Sequence, residues 1–274
     1  MLSDLVLCGA CGNPLAFFDD GVRRCCNLPY GSVLRSGFIV HDSSRGSFQP
    51  LEMIERDHDA FNYLSHPKFP TQVERLRRFL GAKSKKENGG IILDLGCGPG
   101  PTTGLLLDAG YEVVAVDMSL QSLAVNAQLC RGRSEHVLYV QADLNAVEFV
   151  QQAFDGLMMA DFLQHIGSKE VQATFLRKIF SALKPGGWFY LSFFNTNIVD
   201  LLRGDLEGNR GNIPFRRLSL REARCMLPHG VSVNSESVMN VFHSFLLDRV
   251  ATSLPIAPWF ARMAVIEGNQ TGQS

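Results

Sequence analysis

The run Ile91-Ile92-Leu93-Asp94-Leu95-Gly96-Cys97-Gly98-Pro99-Gly100 constrains this chain more than any other stretch. In it an apolar strand passes into an acidic residue and then into three alternating glycines. Without a Cβ, Gly96, Gly98 and Gly100 allow tight or left-handed backbone and let a ligand approach the main chain closely. Downstream, Thr102 to Ala109 reads as a helix, Gly110 as its C-cap, and Tyr111 to Val116 as a second strand ending in Asp117. The unit is βαβ. An acidic side chain at the tip of the second strand, about twenty residues past the glycines, is where a Rossmann-like crevice presents a carboxylate to ribose hydroxyls. A third strand, Val137 to Gln141, ends at Ala142-Asp143-Leu144 and offers a further carboxylate to an adenine amino group. The three strand ends together read as a nucleoside site.

The loop is not built for a pyrophosphate. No Walker-type Gly-Lys-Ser/Thr follows the glycines, and residues 94–118 contain no basic side chain. The Gly-x-Gly-x-Gly spacing with Pro101 after it also departs from the Gly-x-Gly-x-x-Gly of dinucleotide dehydrogenases. Five ordered blocks, Asp94 to Gly100, Asp117-Met118-Ser119, Ala142-Asp143-Leu144, Phe154-Asp155-Gly156-Leu157 and Leu183 to Gly187, resemble the class I S-adenosylmethionine-dependent methyltransferases. The branch they are most similar to is the ubiquinone/menaquinone-biosynthesis type, and the resemblance is strong over about residues 89–195. It implies an α/β, Rossmann-like fold with a seven-stranded, mostly parallel sheet and helices on both faces. It also implies S-adenosylmethionine held by Asp94, Gly96, Cys97, Gly98, Gly100, Asp117, Met118, Asp143, Leu144, Ala160 and Tyr63. A sulfonium cofactor has no phosphate, so oxygens and room serve it better than a Lys or Arg. Cys97 reads as a small apolar packing residue, not a nucleophile.

A fourth strand, Phe154 to Ala160, leads into Asp161-Phe162-Leu163-Gln164-His165. In the resembling family this segment lies beside the methionine moiety. His165 and Asp161 are therefore the catalytic candidates: a neutral imidazole deprotonates a hydroxyl or amine near neutral pH, and Asp161 orients the acceptor or the cofactor amino group. The bland alternatives are a packed or backbone-bonded histidine and a helix-capping aspartate. No Asp/Asn-Pro-Pro-Tyr follows this strand, which argues against a planar-nitrogen acceptor of that type. A helix from Lys169 to Leu183, a turn at Lys184 to Gly187 and a fifth strand, Trp188 to Phe194, follow. Ser219 caps a helix over Leu220 to Leu227, and Val231–Val241 and Arg262–Glu267 read as the sixth and seventh strands.

Cysteines crowd the N-terminus. Cys8-x-x-Cys11, a strand-like Ala16-Phe17-Phe18 and a turn at Asp19-Asp20-Gly21 resemble the first half of a zinc ribbon. The second knuckle is irregular, because Cys25 and Cys26 are adjacent. The expected structural zinc shell is Cys8, Cys11, Cys25 and Cys26, with His41 as another fourth ligand; a metal-free ribbon or a redox pair are the alternatives. The domain reading is thus 1–45 for a zinc-ribbon-like module, 46–88 for a helical lid and linker, and 89–274 for the methyltransferase core, with insertions at 196–218 and 242–260. In the lid, Thr71 and Glu74 suggest a capping box opening a helix to Leu80, with Val73, Leu76, Phe79 and Leu80 toward the sheet. Phe61, Tyr63 and His66 are the residues expected over the site.

The 274 residues, 46% of them hydrophobic, suffice for one full α/β core and a small accessory module. Lys and Arg number 26 against 27 acids, so no global charge drives the chain toward nucleic acid or an anionic membrane. No stretch approaches the roughly 18–20 apolar residues of a membrane span, and no signal sequence is evident, which reads as a soluble cytosolic protein. The 196–218 insertion carries Arg203, Arg210, Arg216 and Arg217 at the carboxyl edge of the sheet, where a substrate carboxylate or phosphate would meet them; a solvated face is the plain alternative. The apolar, Pro-rich 242–260 segment reads as a cover for an acceptor pocket or a homodimer surface. The favoured expectation is a methyltransferase acting on a small-molecule O, N or C nucleophile in cofactor or secondary metabolism. The alternative is a ribosomal RNA guanine methyltransferase gripping phosphates through Arg23, Arg24, Arg35 and Arg45. A non-enzymatic cofactor-binding scaffold is the third.

Overall fold

The structure is a computed structural model that describes residues 2–8, 23–25, 28–30, 38–40, 50–59, 69–83, 89–144, 147–241, 248 and 250–271. Four short strands come first: β1 (Val6–Cys8), β2 (Arg23–Cys25), β3 (Leu28–Tyr30) and β4 (Phe38–Val40). Helices α1 (Pro50–Asp59) and α2 (Phe69–Lys83) follow. The core then alternates β5 (Ile91–Leu95), α3 (Pro101–Asp108), β6 (Glu112–Asp117), α4 (Leu120–Leu129) and β7 (Val137–Gln141). Short β8 (Val147–Phe149) precedes β9 (Phe154–Met159), α5 (Lys169–Phe180) and the long β10 (Leu183–Phe194). The insertion folds as α6 (Ile198–Arg203) and a hairpin of β11 (Glu207–Arg210) and β12 (Ile213–Arg216). The chain closes with α7 (Leu220–Met226), β13 (Val231–Met239), α8 (Ala257–Phe260) and β14 (Met263–Gln270).

The main sheet runs β13-β14-β10-β9-β5-β6-β7-β4. Every pair from β10 to β4 is parallel, while β14 runs antiparallel to both β10 and β13. The seven strands from β13 to β7 are the expected Rossmann-like sheet. Its order reverses at β5, so the carboxyl ends of β5 and β9 diverge there and leave a crevice.

Strand alternation feeds two cores. Leu93, Leu95, Val114 and Val116 belong to the buried cluster that also holds Phe175, Leu176 and Ile179 of α5. Their neighbours Ile92, Val113 and Ala115 face the other way, onto Leu76, Phe79 and Leu80 of α2 and Leu106 of α3. A parallel sheet covered on both faces needs such near-continuous apolar strands, and each fully buried large side chain stabilises the fold by about 1.5–3 kcal/mol. Phe79 meets Trp188 edge-on at 5.3 Å between ring centroids, joining α2 to β10.

The structure corrects several local expectations. Helix α2 begins at Phe69, before Thr71, and Glu74 pairs with Arg77 and Arg78 instead of closing a capping box. The predicted capping at Ser219 does form, with Glu222 returning the bond. Strand β10 starts at Leu183 and passes through Gly186 as an irregularity, so the expected turn interrupts a strand that had already begun. Strand β1 pairs antiparallel with β8, and β4 adds an eighth strand beside β7.

The zinc-ribbon reading has no counterpart among the described residues. Cys11, Cys26 and His41 lie outside them, and Cys8 and Cys25 stand on β1 and β2, which pair with different partners. No group of three or more His, Cys, Asp or Glu among the described residues is arranged to hold a metal. Tyr63, Phe61 and His66 also lie outside the described residues, as does 242–247. In the described part of the C-terminal insertion, Leu254, Ile256, Trp259 and Phe260 are exposed. Among the described residues, no helix is long and apolar enough to cross a membrane.

Strand packing at Gly156 is tight enough to test. A Cβ there would lie 2.5 Å from the Trp188 ring and 2.8 Å from Ile92 Cδ1. Gly156→Ala is expected to lower stability by about 1–3 kcal/mol through overpacking, read from chemical denaturation. An unchanged midpoint would contradict this packing.

Candidate active site

The crevice opens into a cavity of about 740 Å³ lined from the carboxyl ends of β5, β6, β7, β9 and β10 and from α1 and the β11–β12 hairpin. Its first wall is the glycine loop. Gly96 takes φ +64°, and a Cβ at that position would sit 2.3 Å from the Phe162 ring, so only glycine lets Phe162 close over the loop. Gly98, at φ +55°, has open space where its Cβ would project. Gly100 instead makes room for the Asn126 amide, which also bonds the Gly98 carbonyl at 3.1 Å and Thr103 at 2.9 Å.

Asp117 holds this loop in place. One carboxylate oxygen accepts from Gly98 N at 2.8 Å and the other from Ser119 N at 2.8 Å. Burial pushes its pKa up; the two amides and Arg56 oppose that rise. Further lone pairs on the carboxylate remain for a diol. Asp143 and Leu144 follow on the same wall, with Met118, whose carbonyl is fixed by Gln141 Nε2 at 3.1 Å. Asp94 is not on the wall. It is fully buried beneath the loop, accepts from Thr103 Oγ1 at 2.8 Å, and burial raises its pKa to about 7. Of the residues expected to hold the cofactor, the structure therefore gathers Gly96, Cys97, Gly98, Asp117, Met118, Asp143, Leu144 and Ala160 around the cavity, and sets Asp94 and Gly100 behind it. Burial drives the Cys97 thiol well up in pKa, which suits an inert side chain.

Past Ala160, Asp161 adopts φ +58°, a conformation Asp tolerates better than most residues. Its N–H is held by Ser192 Oγ at 2.9 Å and its carboxylate by Gln164 Nε2 at 2.7 Å, so it does not serve as a helix cap. His165 lines the same cavity, with Nδ1 2.7 Å from the Pro214 carbonyl oxygen. A carbonyl can only accept, so Nδ1 carries a proton, and Nε2 is the nitrogen that can act as a base when the ring is neutral. Gln164 Nε2 lies 3.3 Å from Nε2.

Helix α1 was missing from the expected site. Its Glu52 and Arg56 form an i,i+4 pair at 2.7 Å and line the cavity. Its Asp57 accepts from Ser119 Oγ at 2.5 Å and from Gln121 N at 3.2 Å at the start of α4. Glu55 accepts from Asn212 N in the hairpin turn. The helix thus bridges the nucleoside wall and the hairpin. The i,i+4 charge pair was a local signal for a helix here, but nothing local in Asp57 indicates a partner 62 residues away.

The wall fits a charged sulfur nucleoside: carboxylates at the strand ends, an open main-chain approach at Gly98, and no basic side chain on the glycine loop. Residues 92–187 match the family model described as a methyltransferase domain. The sheet order and the glycine loop around that match are those of a Rossmann-like α/β fold. Curated relatives include a ubiquinone biosynthesis O-methyltransferase of Hydrogenovibrio crunogenus, 26% identical over 135 residues, covering 48% of this chain and 52% of the relative. Another is a demethylmenaquinone methyltransferase of Renibacterium salmoninarum, 29% identical over 125 residues, covering 45% and 49%. The chain spans about half the length of these relatives. Among solved structures, the 1,6-didemethyltoxoflavin-N1-methyltransferase of Burkholderia thailandensis, with S-adenosylhomocysteine bound, shares the fold at TM-score 0.56 and 18% identity, covering 80% of this chain and 85% of that one.

The buried carboxyl under the loop gives a measurable signature. The folded state keeps the Asp94 proton up to about pH 7, whereas an unfolded aspartate releases it near pH 4. Stability is therefore expected to fall as pH rises across that interval and to level off above it. Asp94→Asn should flatten this component in denaturation midpoints compared at pH 5 and pH 8; an unchanged slope would contradict it.

Proposed function

We propose that this protein is an S-adenosylmethionine-dependent methyltransferase acting on a small-molecule acceptor. The observation that carries the reading is Asp117, fixed by two backbone amides at the mouth of the glycine loop and facing a cavity large enough for a nucleoside and an acceptor together. Gly96, Gly98, Asp117, Met118, Asp143 and Leu144 hold the cofactor in this reading, and Asp94 supports the loop from below. The cofactor supplies a methyl group already activated on a sulfonium, so the protein's share is placement, exclusion of water and removal of a proton.

For a hydroxyl acceptor, His165 Nε2 takes that proton, with Nδ1–H held on the Pro214 carbonyl and the ring kept in orientation. Asp161, anchored by Ser192 and Gln164, orients the reacting groups. The acceptor end is walled by Phe162, Ile166, Phe194, Ile213 and Met239, which suits an apolar body. The quinone-pathway names of the curated relatives agree with such an acceptor. No observation among the described residues favours the ribosomal RNA alternative.

Calorimetric titration with S-adenosylhomocysteine tests the reading. The unaltered protein is expected to bind it, and Asp117→Ala to weaken binding tenfold or more, since a charged hydrogen-bond partner contributes about 1.5–3 kcal/mol. Labelled methyl transfer into metabolite extracts, read by mass spectrometry, identifies the acceptor. Absence of cofactor uptake by the unaltered protein would end the assignment.

A further inference from the structure

Among the described residues two arginines line the cavity: Arg56, paired with Glu52, and Arg210, which forms no ion pair. Of the insertion's arginines, Arg217 is buried and ion-paired with Asp200 at 3.2 Å and Asp205 at 3.4 Å. Arg216 pairs with Glu207 at 2.8 Å, and Arg203 is exposed on α6. Arg210 lies on the cavity wall at the end of β11, opposite Ile213. Its guanidinium sits over the Phe194 ring at 4.6 Å and the Phe215 ring at 5.3 Å. Among the described residues its side chain has no ion pair or hydrogen bond. The neighbouring carboxylates are engaged elsewhere: Asp200 and Asp205 by Arg217, and Asp161 by Gln164.

A guanidinium resting on aromatic faces keeps its N–H fork for a planar anion. Phe194 also contacts His165, ring to ring at 5.9 Å, so the cation and the candidate base border one aromatic platform. The hairpin is itself held at both ends of this arrangement, by His165 on the Pro214 carbonyl and by Glu55 on Asn212 N.

The geometry points to an acceptor that carries a carboxylate on an apolar body, with Arg210 as the residue that selects it; this rests on the methyltransferase reading above. One fork matches a single negative charge bidentately. A phosphate monoester would bring a second charge, and the next guanidinium, Arg217, is already neutralised by two carboxylates. Partial burial and the nearby Arg217 lower the Arg210 pKa, and Asp161, Asp205 and Asp200 offset part of that fall.

The test uses benzoate and 4-hydroxybenzoate, each against its primary amide, together with phenyl phosphate, titrated onto the protein saturated with S-adenosylhomocysteine. The expected result is a carboxylate preference of about tenfold or more in the unaltered protein. That preference should be lost in Arg210→Gln, partly restored in Arg210→Lys and kept in Arg203→Gln. No carboxylate preference, a preference surviving in Arg210→Gln, or tighter phenyl phosphate binding overturns the assignment. A loss of S-adenosylhomocysteine affinity in Arg210→Gln also overturns it, giving the guanidinium to the cofactor's own carboxylate. Failure of the unaltered protein to bind S-adenosylhomocysteine at all is a different result and removes the methyltransferase reading itself.

Discussion

The bond pair from Gly98 N and Ser119 N to the Asp117 carboxylate is the constraint on which the site depends. It ties the end of β6 to the loop after β5 and to the entry of α4, so three elements are fixed by one side chain. Asp94, Thr103 and Asn126 continue the network beneath the loop, where no solvent reaches. A buried polar network rigidifies to the extent that its members are bonded; here Asp94 Oδ2, Thr103 and Asn126 are, while Asp94 Oδ1 has no partner among the described residues.

The other half of the cavity is assembled by long-range contacts. Helix α1 reaches α4 through Asp57 and the β11–β12 hairpin through Glu55. The hairpin then sets Ile213, Pro214 and Arg210 against the ends of β9 and β10. The wall of strand ends and the hairpin wall are therefore coupled by one helix, and a shift of α1 would move both.

Legibility in the sequence followed the range of the forces involved. The strands β5, β6, β7 and β9 and the glycine loop were readable because their patterns are local: apolar runs, turn glycines and an acid at each strand tip. The start of α2 was misread because Thr71 and Glu74 form a plausible capping pair locally, while Arg77 and Arg78 on the next turn compete for the Glu74 carboxylate. Asp94 was read as a ligand to the cofactor because it shares the motif; its burial beneath the loop depends on α3 bringing Thr103 to it. The N-terminal cysteines suggested a zinc shell, and no metal-holding group stands among the described residues; the pairing of β1 with β8 and of β4 with β7 is long-range, which spacing of thiols does not encode.

The sequence alone determined the βαβ order, the glycine loop and the carboxylates at successive strand ends, because hydrophobic period and backbone freedom act within a few residues. Only the tertiary structure decided which of the four arginines lines the cavity, which helix bridges the two walls, and which nitrogen of His165 faces the Pro214 carbonyl. Each of those depends on a partner distant in sequence, brought near by the packing of two cores on one sheet.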